Sequence, residues 1–124
     1  MTDIIYAYTR KQAVEDGEQV DVSTTAAEAG IRFPVFLTRR VYDKYVTVPE
    51  NVSFQDEAGR LWDIVWMLRF AIKRLSGGGD RITYSLHVAN DNRRARLVQL
   101  VATCGPLDMD DAQPAITIMM PGED

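Results

Sequence analysis

Residues from about 55 to 75 constrain the fold more than any other stretch of this 124-residue chain. Leu61, Val65, Leu68, Ile72 and Leu75 recur at spacings of 4, 3, 4 and 3, which lays them along one stripe of a helix. Ile64 and Ala71 widen the stripe, and Trp62, Trp66 and Phe70 form a second ridge beside it. Only a narrow strip stays polar, with Asp56, Arg60, Asp63 and Arg74. A helix apolar over most of its circumference is usually buried on two sides. The expectation is a central spine, with a sheet on one flank and the N-terminal helices on the other.

After Gly77-Gly78-Gly79 the apolar period changes from 3.6 to 2. Ile82, Tyr84, Leu86 and Val88 alternate with Thr83, Ser85, His87 and Ala89, the pattern of a half-buried strand. Asn90-Asp91-Asn92 supplies turn chemistry, and Val98, Leu100, Ala102 and Cys104 form one apolar face on the returning strand. Setting Val88 against Val98 places Leu86 opposite Leu100 and His87 opposite Gln99. Gly105-Pro106 through Pro114 reads as a loop. Ala115 to Met120 reads as a third strand, with Ile116, Ile118 and Met120 inward.

The N-terminal half carries shorter signals. Ile4 to Tyr8 reads as a strand or extended arm. Thr9-Arg-Lys-Gln has capping-box spacing and Gly17 can end the helix it opens. A second short helix fits Ser23 to Ala29, with Ser23 as cap and Gly30 as the left-handed stop. Pro34 enforces an extended break before Val35-Phe36-Leu37, and Thr38 can cap a third short helix carrying Val41, Tyr42 and Tyr45. The expected fold is therefore α+β: short N-terminal helices and one long central helix packed on a three-stranded antiparallel C-terminal meander, with an N-terminal strand as an optional addition. Residues 1–124 form a single domain in this reading.

Composition narrows the function classes. Apolar residues make up 46% and charged residues 26%, a globular balance. The one cysteine, Cys104, cannot close an internal disulfide or build a thiolate zinc cage. No apolar run reaches the roughly 18 residues that span a bilayer. Met-Thr-Asp-Ile-Ile lacks the basic-then-apolar order of a signal peptide, so the cytoplasm is the expected compartment. The net charge of −4 is unevenly placed: residues 60–100 carry 8 basic and 3 acidic side chains, while residues 101–124 carry 5 acidic and no basic ones. Such segregation either steers a charged partner or is neutralised within the fold.

No catalytic set assembles from these residues. His87 is the only histidine and lies two positions after Ser85, but no Gly-x-Ser-x-Gly elbow or orienting acid accompanies the pair. Cys104 ends an inner strand face and is expected to be a packed thiol. Asp108, Asp110 and Asp111 match no calcium-loop spacing and read as a solvated acidic loop. The triple glycine lacks the lysine of a phosphate loop and follows a helix, whereas a phosphate cradle precedes one. No cofactor or metal is expected. Arg93, Arg94 and Arg96 crowd the hairpin turn, where they could neutralise phosphates. The outer sheet face, with Thr83, Ser85, His87, Ala89, Leu97, Gln99, Val101, Thr103, Thr117 and Met119, is semi-apolar, and either the N-terminal arm or a partner covers it. The candidate partner-binding residues are Ser85, His87, Gln99, Arg93, Arg94 and Arg96.

Four blocks carry a resemblance: Asp-Ile-Ile-Tyr-Ala-Tyr-Thr-Arg at 3–10, Ala-Gly-Ile-Arg-Phe-Pro-Val at 29–35, Gly-Arg-Leu-Trp-Asp-Ile-Val-Trp-Met at 59–67 and Ile-Thr-Ile-Met-Met-Pro-Gly-Glu-Asp at 116–124. They resemble a family of short proteins of unknown function commonly encoded on bacterial plasmids, phages and integrative elements. The likeness covers nearly the whole chain. It implies an accessory protein of mobile DNA and transfers no site residue. The expected function is a non-enzymatic, protein-binding accessory of a mobile genetic element, such as an inhibitor of a host defence system. The alternative is a nucleic-acid-binding accessory using the arginine-rich hairpin, and a third reading is a small hydrolase or transferase centred on His87.

Overall fold

The computed structural model describes residues 8–50, 52, 55–75, 79–91 and 94–123. Their elements run α1 (Arg10–Glu15), β1 (Gln19–Asp21), α2 (Ser23–Glu28), β2 (Val35–Thr38), α3 (Arg39–Val41) leading into a π-helical turn (Tyr42–Val46), α4 (Glu57–Arg74), β3 (Arg81–Val88), β4 (Arg96–Asp108) and β5 (Asp111–Met119). The fold is α+β, as the periodicities predict. The arm at 4–7, Gly77-Gly78, Asn92 and Arg93 lie outside the described residues.

The local signals in the N-terminal half act largely as read. The Thr9 hydroxyl accepts the Gln12 N–H and the Gln12 side chain accepts the Thr9 N–H, a complete capping box. Gly17 and Gly30 turn the chain out of α1 and α2 with φ of +79° and +93°, a region that side chains with a Cβ rarely enter. Thr38 caps α3 through the Val41 N–H. Ser23 does not cap α2; its hydroxyl accepts the Val35 N–H and so ties α2 to β2.

The sheet is larger than the expected meander. Five strands lie in the order β1-β2-β5-β4-β3, all pairs antiparallel except β2 with β5. The β3–β4 register differs by two residues from the expected one: Leu86 faces Val98, Tyr84 faces Leu100, and His87 faces Leu97 rather than Gln99. An even shift leaves every side chain on its expected face. The expected loop at 105–114 is instead paired strand closed at Met109-Asp110. Pro106 faces Pro114 at a position where neither main-chain nitrogen points into the β4–β5 ladder, so two residues without an N–H fit an ordered hairpin.

One face of the sheet carries the core. Ile64, Val65 and Leu68 of α4 meet Tyr84, Leu86, Leu100, Ala102, Ile116 and Ile118 from the strands and Leu37 from β2. Ala26 of α2 and Val41, Tyr45 and Val46 around the π-turn fill the same layer. The helix α4 is not sandwiched. It rests on the sheet with α2 and the π-turn beside it, and its far arc is open, with Trp66 40% and Phe70 49% exposed. The short α1 lies on the opposite face, where Arg10 sits over the Phe36 ring and donates to the Thr117 hydroxyl. That face is closed at Phe36, Val101 and Met119 and open at Gln99, His87 and Leu97.

Candidate functional site

The exposed arc of α4 is built by its own periodicity. Trp62, Trp66 and Phe70 are successive i+4 neighbours, so their rings line one side of the helix. The two indoles stack, 5.6 Å between centroids and 17° between planes. The Arg69 guanidinium lies 5.0 Å from the Trp66 ring and that of Arg74 lies 5.8 Å from the Phe70 ring. Each cation covers an aromatic face and lowers the cost of holding it in water. The apolar periodicity of α4 predicts this ridge as part of the core, whereas the structure leaves it open. Its interleaving with Arg69 and Arg74 was the available sign that it faces outward.

At its N-terminal end the ridge opens into a cleft of about 450 Å³, lined by Trp62, Asp56, Asp63, Arg60, Gln55 and His87 among others. Arg60, expected on a polar outer strip, is only 6% exposed. Its Nε donates to the Tyr45 carbonyl (2.7 Å), Nη1 to Gln55 Oε1 and to the Ala89 carbonyl (3.1 Å each), and Nη2 to Asn90 Oδ1. Among the described residues no carboxylate lies in ion-pair range of it, and burial lowers its pKa. The guanidinium thus ties the π-turn, the entry to α4 and the end of β3 together. Partial desolvation raises the Asp63 carboxyl above its ordinary value.

Ser85 and His87 share the outer face of β3, opposite Gln99 and Leu97. Among the described residues neither side chain makes a hydrogen bond, so the structure does not assemble a Ser–His pair. Gln99, Arg94 and Arg96 are exposed at the same end of the sheet; Arg93 lies outside the described residues. Cys104 is exposed rather than packed, because β3 ends opposite it and leaves it beside a shallow apolar notch with Phe33, Ile72 and Leu75. Asp108 belongs to β4 and not to a loop: its carboxylate accepts the N–H groups of Arg10 and Lys11 at the start of α1. Among the described residues no cluster of three metal-ligating side chains exists, and no helix is long and apolar enough to cross a membrane.

A mixed five-stranded sheet bearing one long helix with an open, arginine-flanked aromatic ridge defines the class: a small α+β protein with its most distinctive surface on a helix. The chain belongs to the family of unknown function DUF6573, whose model matches residues 1–124. No curated protein and no solved structure matches it.

Proposed function

We propose that this is a non-enzymatic binding protein that docks a partner protein on the Trp62–Trp66 part of the α4 ridge. The observation that carries the reading is the stacked, partly exposed Trp62–Trp66 pair with Arg69 against it. Tryptophan and arginine dominate the energetics of protein interfaces, and a ring already held by its neighbours loses little freedom on docking. The reading moves the binding surface from the outer sheet face, where sequence placed it, to the helix. The setting suggested by the resemblance, a mobile genetic element, makes the partner a host or element-encoded protein.

The test is capture from a bacterial lysate by the immobilised protein, with Trp62→Ala/Trp66→Ala as the paired bait. The wild-type chain should retain a partner that the double variant retains at least about tenfold less, while circular dichroism shows both folded. Equal retention by the two baits, or repeated capture of no protein, would sink the reading. A nucleic-acid role keeps one supporting observation, the exposure of Arg94 and Arg96 at the hairpin. Retention of duplex or single strands at low salt, lost in Arg94→Ala/Arg96→Ala, is its signature.

A further inference from the structure

We infer that the open edge of β3 pairs with the same edge of a second copy, antiparallel about a two-fold axis at Ser85, so that the α4 stripe Asp63–Met67–Phe70–Arg74 of each protomer meets that of its partner.

β3 is an edge strand of eight residues, whereas the opposite edge, β1, has three. The Cys104 N–H donates to the Asp80 carbonyl at 2.8 Å, which fixes the alternation of the β3–β4 ladder. Even-numbered residues of β3 bond to β4, and Thr83, Ser85 and His87 turn their main-chain groups to the free side. Among the described residues nothing bonds those groups. The next outward carbonyl, Ala89, is taken by Arg60 and Gln55, so the open stretch is bounded at that end. Long edges are normally protected by charge, proline or a bulge. Past Arg81 at its first position, β3 contains no proline and no Asp, Glu, Lys or Arg, and the β3–β4 pairing has no irregularity.

The helix beside this edge supplies the reason for choosing a second copy over a foreign strand. Asp63, Met67, Phe70 and Arg74 follow one another at 4, 3 and 4 residues, on the side of α4 that overhangs β3. They line two cavities in series along the edge: the cleft of about 450 Å³ beside 86–89, and one of about 440 Å³ beside 82–85. An acid stands at one end, a base at the other, and apolar side chains between. Reversed by a two-fold axis, that order sets Asp63 against the partner's Arg74 and Met67 against the partner's Phe70. Self-complementarity of this kind is what an isologous interface requires. Because α4 and β3 run in opposite directions, the midpoint of the stripe lies near the midpoint of Thr83, Ser85 and His87. One axis serves both. A foreign strand would satisfy the main chain but gives no account of the ordered charges. Trp66, which lines neither cavity, lies further round the helix and stays open in the dimer.

Sedimentation velocity across a wide concentration range tests the inference, with a mass of twice 14.0 kDa as the expected limit. Ser85→Pro removes an outward N–H without touching the β4 ladder and should abolish the dimer. Asp63→Arg and Arg74→Asp should each weaken it by roughly tenfold or more, and the double reversal should recover most of the loss. This recovery keeps the test decisive if Ser85→Pro misfolds. A monomer at every concentration overturns the inference and leaves the edge to a foreign strand. So does a dimer indifferent to these changes, or a double reversal that stays as weak as the singles. Trp66→Ala, at a residue outside both cavities, should leave the mass unchanged while weakening partner capture, so failure of the binding reading and failure of the dimer are told apart.

Discussion

Arg60 shows how a residue's position can overrule its type. It stands four residues before Ile64 on the face α4 turns to the core, and its charge hid that from a reading by composition. All of its bonds with described residues go to neutral oxygens, so removing it strands carbonyls rather than an opposite charge. Arg60→Ala should cost about 2–4 kcal/mol in urea unfolding. Arg60→Lys should recover little, since an ammonium cannot span the same fork of acceptors. Asp108 makes a pH prediction. Backbone N–H groups of Met109 and Lys11 hold its carboxyl below the ordinary value, with Arg10 adding to them against a smaller opposing desolvation. A depressed folded-state pKa means that the stabilisation is complete above the unfolded value of about 4 and is lost as pH falls through the folded one. Asp108→Asn should therefore flatten the acid limb of a stability–pH curve and change its slope little near neutrality.

The sequence of α4 specifies a helix but not which of its apolar side chains face water. Its predicted stripe is buried at Val65 and Leu68, with Ile64 beside them, but ends in the open, since Ile72 and Leu75 are exposed. The apolar arc is broader than the buried one, because stacked indoles under a guanidinium group can face water. Leu68→Ala should cost about 2–5 kcal/mol, and Trp66→Ala about 1 kcal/mol or less, by thermal or urea unfolding. Costs in the reverse order would return the ridge to the core. The β3–β4 hairpin failed for a different reason: two registers an even step apart bury the same side chains, so alternation cannot separate them. The 105–114 hairpin was hidden by Pro106 and Pro114, which read as breakers because sequence does not say which way a main-chain nitrogen points.

Across the whole molecule, what sequence could not supply was the pairing between distant segments. Helices and turns leave local periods, but the short strand Gln19–Asp21 and the parallel match of Val35–Leu37 with Ile116–Ile118 leave none. The aromatic ridge is visible in the sequence as residues and not as a surface, since its exposure depends on which elements pack beside α4. The parallel match also sets an order of events. β5 lies at the middle of the sheet, yet it follows every other element along the chain. A fragment ending at residue 110 would keep β1–β2 and β3–β4 as two separate antiparallel pairs, and it should show neither a cooperative melt nor dispersed amide resonances. A ribosome making this protein therefore holds a nascent chain whose halves have no keystone to close on, and whose greasy faces need shelter until the closing segment emerges.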